Sequence, residues 1–373
     1  MATNSQQPEP IRVIIAGGGT GGHVFPAIAI ALALKKKVYN AKILFVGAKG
    51  RMEMKKVPAA GFHIIGLNIA GFQRRLTWKN FVLPFKLIDS MIRAKNIVKR
   101  FKPDVVIGVG GYASAPLVRA ATKQKVPTLI QEQNSYPGLT NRILGKKADK
   151  ICVAYEGMDR FFPKSKIFLT GNPVRQDIVN LEGKYEKGLE FFGLSADKPI
   201  LLVTGGSQGA RSINQGLSAN LRLFLFNDIQ VIWQTGTPYF QTALEQTRGL
   251  EKFGVCVKEF IDRMDYAYAV SDVVISRAGA IAVSEICAVK KPAVLVPLPS
   301  AAEDHQTKNA MALVNHHAAI LIHDREVPEQ LGPVVMDLIH DEEKKHRFRE
   351  KMAGLSYRDA ADKIAGVVLS LVN

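Results

Sequence analysis

A hydrophobic strand that runs into a glycine-rich turn and then a helix heads each half of this chain, as AGGGTGGH at 16–23 and TGGSQGAR at 204–211. Short β-branched runs alternate with helical stretches on either side of both turns, the grammar of a parallel sheet covered by helices. The expected strands of the first half are 12–16, 42–46, 62–67, 104–109, 127–131, 151–154 and 167–170. Those of the second are 199–204, 230–234, 255–260, 272–276, 292–296 and 319–322. A chain of 373 residues also exceeds the roughly 250–300 residues at which a single core stops growing. The expectation is therefore α/β: two Rossmann-like domains facing across a cleft, with ligands at the carboxyl ends of their strands. The turn-forming Gly171-Asn172-Pro173 divides them into 1–173 and 174–356. A final helix, about 357–371, has no strand after it and could cross back onto the first domain.

Charge is divided as unevenly as the turns are evenly repeated. Residues 1–173 hold 28 Lys and Arg against 8 Asp and Glu, whereas 174–373 hold 22 against 25, so the halves carry +20 and −3. Such asymmetry points to a polyanionic partner for the first half: nucleic acid, an anionic membrane surface or a pyrophosphate. Three cysteines far apart, without CxxC spacing, argue against a disulfide framework or a zinc site and for a reducing compartment. The opening MATNSQQPEP lacks the basic and apolar regions of a secretory signal, and no apolar run approaches the roughly 20 residues of a spanning helix. The reading is a cytoplasmic protein that can still sit on a membrane.

Gly17-Gly18-Gly19-Thr20-Gly21-Gly22-His23 contains GxGxxG, which raises a dinucleotide-binding oxidoreductase. The second strand, however, ends in Val46-Gly47-Ala48-Lys49 without the acid expected at the ribose of NAD, and no Gly-Lys-Ser/Thr makes a P-loop. What the turn offers is backbone N–H groups at a helix N-terminus, approachable because side chains are missing. His23 follows, where the dipole disfavours imidazolium and leaves the neutral form a general base needs; a histidine that only caps or packs is equally compatible with the position. Gly108-Val109-Gly110-Gly111-Tyr112-Ala113-Ser114 is a third such turn, either a second phosphate loop or a tight βα turn. In Ser276–Glu285, free N–H groups could hold a diphosphate, and Glu285 could accept from ribose hydroxyls, or lie on a solvated helix. Glu303–Asn309 gathers polar side chains that could read sugar hydroxyls, or simply start a helix.

Together these segments resemble the MurG family of GT-B glycosyltransferases. GGGTGGHVFPAIAIA, GVGGYASAP, QEQNSYPGLTNRIL, TGNPVR, TGGSQGAR, SRAGAIAVSE and EDHQTKNA stand in that family's order across nearly the whole chain. The resemblance implies transfer of N-acetylglucosamine from UDP-GlcNAc to undecaprenyl-pyrophosphoryl-MurNAc-pentapeptide in peptidoglycan synthesis. It implies His23 as catalytic base, Thr20, Gly21 and Gly22 among the UDP-GlcNAc-binding residues, Asn134 near the GlcNAc hydroxyls, and Arg175 in a hinge near the donor. It further implies Ser207 and Gln208 at uridine and phosphate, Ile261 at uracil through its backbone, and Ala280 and Ile281 as N–H donors to the diphosphate. Glu285 would take the ribose, and His305 and Gln306 the sugar. Gly110, Gly111 and Tyr112 would meet the acceptor. Direct displacement with inversion is implied, helix dipoles and backbone donors stabilising UDP without metal or cofactor; the sequence has no DxD triplet.

Membrane contact is considered for GFQRRLTWKNFVLPFKLIDSMIRAKNIVKRFKP, 71–103, which interleaves basic residues with aromatic and aliphatic ones. Phe81, Phe85, Ile88 and Ile92 recur at helical spacing, so the helix body is expected to pack as core and only 72–85 to meet lipid. The expected location is the cytoplasmic face of the bacterial inner membrane, as a peripheral protein, with other wall-synthesis proteins as possible partners. Rival readings are a related GT-B transferase acting on diacylglycerol or another polyprenyl lipid, and a basic nucleic-acid binder. The last lacks any recognisable reader motif, so no nucleic acid is expected.

Overall fold

The computed structural model describes residues 10–69 and 83–372. They form two compact α/β domains, residues 1–173 with 359–373 and residues 174–358.

The N-terminal sheet is built from β1 (Arg12–Ala16), β2 (Lys42–Ala48), β3 (His63–Leu67), β4 (Val105–Gly108), β5 (Thr128–Glu132), β6 (Lys150–Val153) and β7 (Ile167–Leu169). Its order is β3-β2-β1-β4-β5-β6-β7, and all its pairs are parallel. The C-terminal sheet holds β8 (Ile200–Thr204), β9 (Gln230–Gln234), β10 (Val255–Lys258), β11 (Val273–Ser276), β12 (Ala293–Leu295) and β13 (Ile320–Leu321). Its order, β10-β9-β8-β11-β12-β13, is again wholly parallel. Every expected strand is present, with ends shifted by no more than about two residues, as strand boundaries commonly are. Parallel strands read as unbroken apolar runs because helices cover both faces, and β4, β5, β8, β9 and β11 are buried throughout.

Each sheet reverses its winding between its first and fourth strands, at β1/β4 and at β8/β11. There the register pairs Ala16 with Gly108 and Thr204 with Ser276. The glycine-rich turns therefore leave neighbouring strands side by side, at the switch points where open α/β sheets hold ligands.

The last helix, Ala360–Leu369, packs on the helix Gly21–Lys37. It buries Ile364, Ala365 and Val368 completely in the N-terminal core, and Lys150 Nζ donates to Ser370 Oγ at 2.6 Å.

The helix Leu83–Phe101 corrects one expectation. It does bury Ser90, Ala94 and Val98, but Ile88 and Ile92 are 58% and 56% exposed. The apolar 3–4 spacing marks a face of the helix without saying that protein covers it. The segment 72–82 lies outside the described residues. Among those described, no helix is long and apolar enough to cross a membrane.

Candidate functional site

In the N-terminal domain the turns after β1 and β4 interlock. A Cβ on Gly17 would meet Val109 Cγ2 at 2.2 Å, and one on Gly111 would meet the Gly18 carbonyl oxygen at 2.2 Å. Both Gly110 and Gly111 also hold positive φ, 94° and 79°, so the third turn needs glycine for conformation as well as for space. Gly21 and Gly22 open the helix Gly21–Lys37 after Thr20, whose side chain makes no cap bond. The His23 N–H donates to the Thr20 carbonyl at 3.1 Å, whereas the N–H groups of Gly21 and Gly22 precede the first intrahelical bonds. His23 is brought against the third turn, since a Cβ on Gly110 would lie 2.7 Å from its Cδ2 and 2.8 Å from its Nε2. Thr20 Oγ1 and His23 Nδ1 lie 3.2 Å apart. Tyr112 is half exposed beside them.

Two carboxylates that sequence reasoning missed support this arrangement. Glu53, 1% exposed, reaches in from the helix Glu53–Ala59. The Gly19 N–H donates to both its oxygens at 3.1 and 3.0 Å, and the Ala48 N–H donates to Oε1 at 3.0 Å. One of the turn's N–H groups is thus already engaged by an anion. Glu132, at the end of β5, is also 1% exposed. It accepts from the Asn134 N–H at 3.0 Å and Nδ2 at 3.1 Å, from Asn141 Nδ2 at 2.9 Å and from the Gly138 N–H at 3.3 Å. Burial raises its pKa against the pull of those donors. Asn134 is held by this carboxylate, while its neighbour Gln133 donates to the Val109 carbonyl at 2.7 Å. Glu132 left one trace in sequence, a charge ending a strand whose residues are all buried.

The C-terminal domain gathers the remaining candidates around β8 and β11. Ser207 and Gln208 are exposed at the tip of the turn after β8, which Gly209 (φ 74°) closes onto the Thr235 carbonyl. After β11, Gly279 caps the helix Ala280–Val289 without a side-chain bond, so the N–H groups of Ala280 and Ile281 lie in its open first turn. Glu285, in the same helix, is 9% exposed. It accepts from the Tyr268 hydroxyl at 3.3 Å, and Arg175 Nε stands 3.9 Å from its Oε1. Burial, opposed by Arg175 and Tyr268, pushes this carboxyl up to about 7.

Ile261 is brought to the same sheet edge with a constraint. Its N–H donates to Gln234 Oε1 at 2.8 Å, which leaves its carbonyl as the backbone group a ligand could use. Gln234 also donates to Thr204 Oγ1 at 3.0 Å and to the Gly206 carbonyl at 3.1 Å, tying the turn after β8 to the end of β10. Gln306 Oε1 is likewise engaged, accepting from the Leu298 N–H at 3.0 Å. His305 begins its helix beside it, half-buried. Before them Glu303 and Asp304 both occupy the left-handed region, φ 53° and 54°, where residues with a Cβ are strained and which clusters at ligand clamps. The two candidate groups belong to different domains: Thr20–His23, Gly110–Tyr112 and Asn134 to the first, the others to the second.

Comparison with known proteins identifies the family of the chain. The glycosyltransferase family 28 N-terminal domain matches residues 13–153, and the family 28 C-terminal domain matches residues 200–364. A Parabacteroides distasonis protein named UDP-N-acetylglucosamine--N-acetylmuramyl-(pentapeptide) pyrophosphoryl-undecaprenol N-acetylglucosamine transferase is 50% identical over 362 residues, 97% of this chain and 98% of its own length. A Bacteroides fragilis protein of the same name is 50% identical over 367 residues, 98% of this chain and 97% of its own. The crystal structure of Acinetobacter baumannii MurG superposes with a TM-score of 0.75 at 28% identity, covering 97% of this chain and 100% of that one. A UDP-GlcNAc 2-epimerase from Neisseria meningitidis, 15% identical with a TM-score of 0.69, shares the fold alone. The order of the two matched domains and the near full-length identity lead to one conclusion: the chain belongs to glycosyltransferase family 28, as a member of the MurG transferases.

Proposed function

We propose that this protein transfers N-acetylglucosamine from UDP-GlcNAc to undecaprenyl-pyrophosphoryl-MurNAc-pentapeptide, the lipid-linked step of peptidoglycan synthesis that its relatives' names state. The observation that carries the reading is 50% identity, over 97% of the chain, to a transferase so named.

The C-terminal domain takes the donor. Its open helix N-terminus at Ala280 and Ile281 suits the diphosphate, whose charge the aligned N–H groups and helix dipole stabilise as UDP leaves. Glu285 accepts from the ribose hydroxyls, the Ile261 carbonyl meets the uracil, and Ser207 and Gln208 close over the nucleotide. His305 and Gln306 meet the sugar, and Arg175 keeps Glu285 oriented.

The basic N-terminal domain takes the acceptor, with Gly110 and Gly111 giving its pyrophosphate an approach free of side chains and Tyr112 beside it. The acceptor hydroxyl attacks the anomeric carbon as its bond to UDP breaks, with inversion, and His23 removes the hydroxyl proton. For Nε2 to be the accepting atom, Nδ1 must carry hydrogen and donate to Thr20 Oγ1, an arrangement that their 3.2 Å separation allows. The exposed Ile88 and Ile92, in a domain region dense in lysine and arginine, support peripheral attachment to an anionic membrane. Release of UDP from UDP-GlcNAc on adding the lipid-linked muramoyl acceptor tests the reading, and failure to release it would sink the proposal.

A further inference from the structure

Glycine-rich turns after the first strand of a Rossmann-like sheet ordinarily leave their N–H groups for a ligand's phosphate. In this protein that place is taken from within. Glu53 puts its carboxylate under Gly19, where it receives three N–H bonds from Gly19 and Ala48 at 3.0–3.1 Å. The fit depends on missing side chains: a Cβ on Gly18 would lie 2.2 Å from Glu53 Oε1, and a Cβ on Gly47 would lie 2.6 Å from its Cγ. A buried anion held by two N–H donors, one of them shared between both its oxygens, is a directional anchor, and a second anion placed beside it is repelled.

The chain from this anchor to the proposed base is short. Gly19 adjoins Thr20, Thr20 Oγ1 lies 3.2 Å from His23 Nδ1, and the His23 ring rests on Gly110. We infer that Glu53 is the turn's built-in anion, a positioning residue that fixes Thr20 and hence the orientation of His23, and that keeps exogenous phosphate off the Gly19 and Ala48 N–H groups. Phosphate recognition in this domain then falls to the groups beyond the anchor, from Gly21 onward.

Three full-length variants test this. In E53Q the amide nitrogen replaces one of the two carboxylate oxygens, so that a donor meets the N–H donors of the turn. E53Q should fold, keep the donor KM within about twofold and lose about 10- to 100-fold in kcat, the scale on which small misplacement of a reacting group acts. The imidazole NMR resonances of His23 should shift with it. E53D should recover at least part of both. In E53A, sodium phosphate should perturb the Gly19 and Ala48 amide resonances, while the wild-type protein should not respond there. Wild-type kcat and unchanged His23 resonances in E53Q would overturn the inference, as would no phosphate response in E53A or unfolding of both variants. The kcat arm rests on the proposed transfer reaction, whereas the resonance arms do not, so a wrong reaction and a wrong role for Glu53 give different results.

Discussion

Arg175 Nε stands 3.9 Å from Glu285 Oε1, yet this cation does not hold the carboxyl in its ordinary range, because burial outweighs it and pushes Glu285 up to about 7. The carboxyl proposed to accept from the donor's ribose hydroxyls is thereby kept half protonated near neutral pH.

The first prediction concerns donor use. Below about pH 7 the Glu285 carboxyl is protonated and is a poorer acceptor, so kcat/KM for UDP-GlcNAc should rise as pH increases through about 7. E285A should weaken donor use by roughly 1–3 kcal/mol and abolish that limb of the profile. Steady-state kinetics from pH 5.5 to 8.5 on both proteins check this; an unchanged profile in E285A would reassign the limb to another group.

The same shift has a stability consequence of opposite benefit. The folded carboxyl titrates near 7 rather than at 4.5, so between those values the folded state binds more protons than the unfolded chain, and stability falls as pH rises across that window. E285Q should therefore be more stable than wild type at pH 8, on the order of 1–2 kcal/mol, with no gain at pH 4. Unfolding curves at both pH values decide it, and an equal effect at both would refute the linkage.

His23→Ala should lower kcat by roughly 10²–10⁴-fold with little effect on the donor KM, if the imidazole is the base. Turnover of UDP-GlcNAc with saturating acceptor measures this. A near-normal rate would leave His23 a packing residue against Gly110.

Gly110→Ala places a methyl group 2.7 Å from His23 Cδ2 at a φ of 94°, and should destabilise the N-terminal domain by about 1–3 kcal/mol. Part of that loss is the collision with the ring, so H23A/G110A should be more stable than the sum of the single changes. Strict additivity across the four proteins would place the whole cost in the backbone.

Ile88 and Ile92, 58% and 56% exposed, should matter for membranes and not for chemistry. I88E/I92E should reduce partition onto anionic phospholipid vesicles about tenfold or more, while turnover with a water-soluble acceptor analogue stays within about twofold. Unaltered partition would move the contact elsewhere on the domain.

How much of this was legible in the sequence follows from range. The strands could be read because helices bury both faces of a parallel sheet, and runs such as VVIG and ILLVT then carry no polar interruption. The turns could be read because only glycine tolerates the φ values and close approaches at Gly110 and Gly111. What could not be read depends on side chains that arrive from elsewhere in the chain. Glu53 is an ordinary acid at a helix start until folding carries it under Gly19, 34 residues away in sequence. Gln234 and Ile261 are joined across two strands. For Ile88 and Ile92, periodicity identified a face, but whether protein or solvent lies opposite is not encoded in spacing.

The helix Ala360–Leu369 completes the core of a domain whose strands all lie before Pro173. During synthesis, the C-terminal domain emerges with its own core complete while the first domain still lacks Ile364, Ala365 and Val368. The usual N-to-C order of domain folding is therefore reversed at its final step. The N-terminal domain completes its core only once residues 360–369 have been made, and until then an apolar face on the helix Gly21–Lys37 stays open.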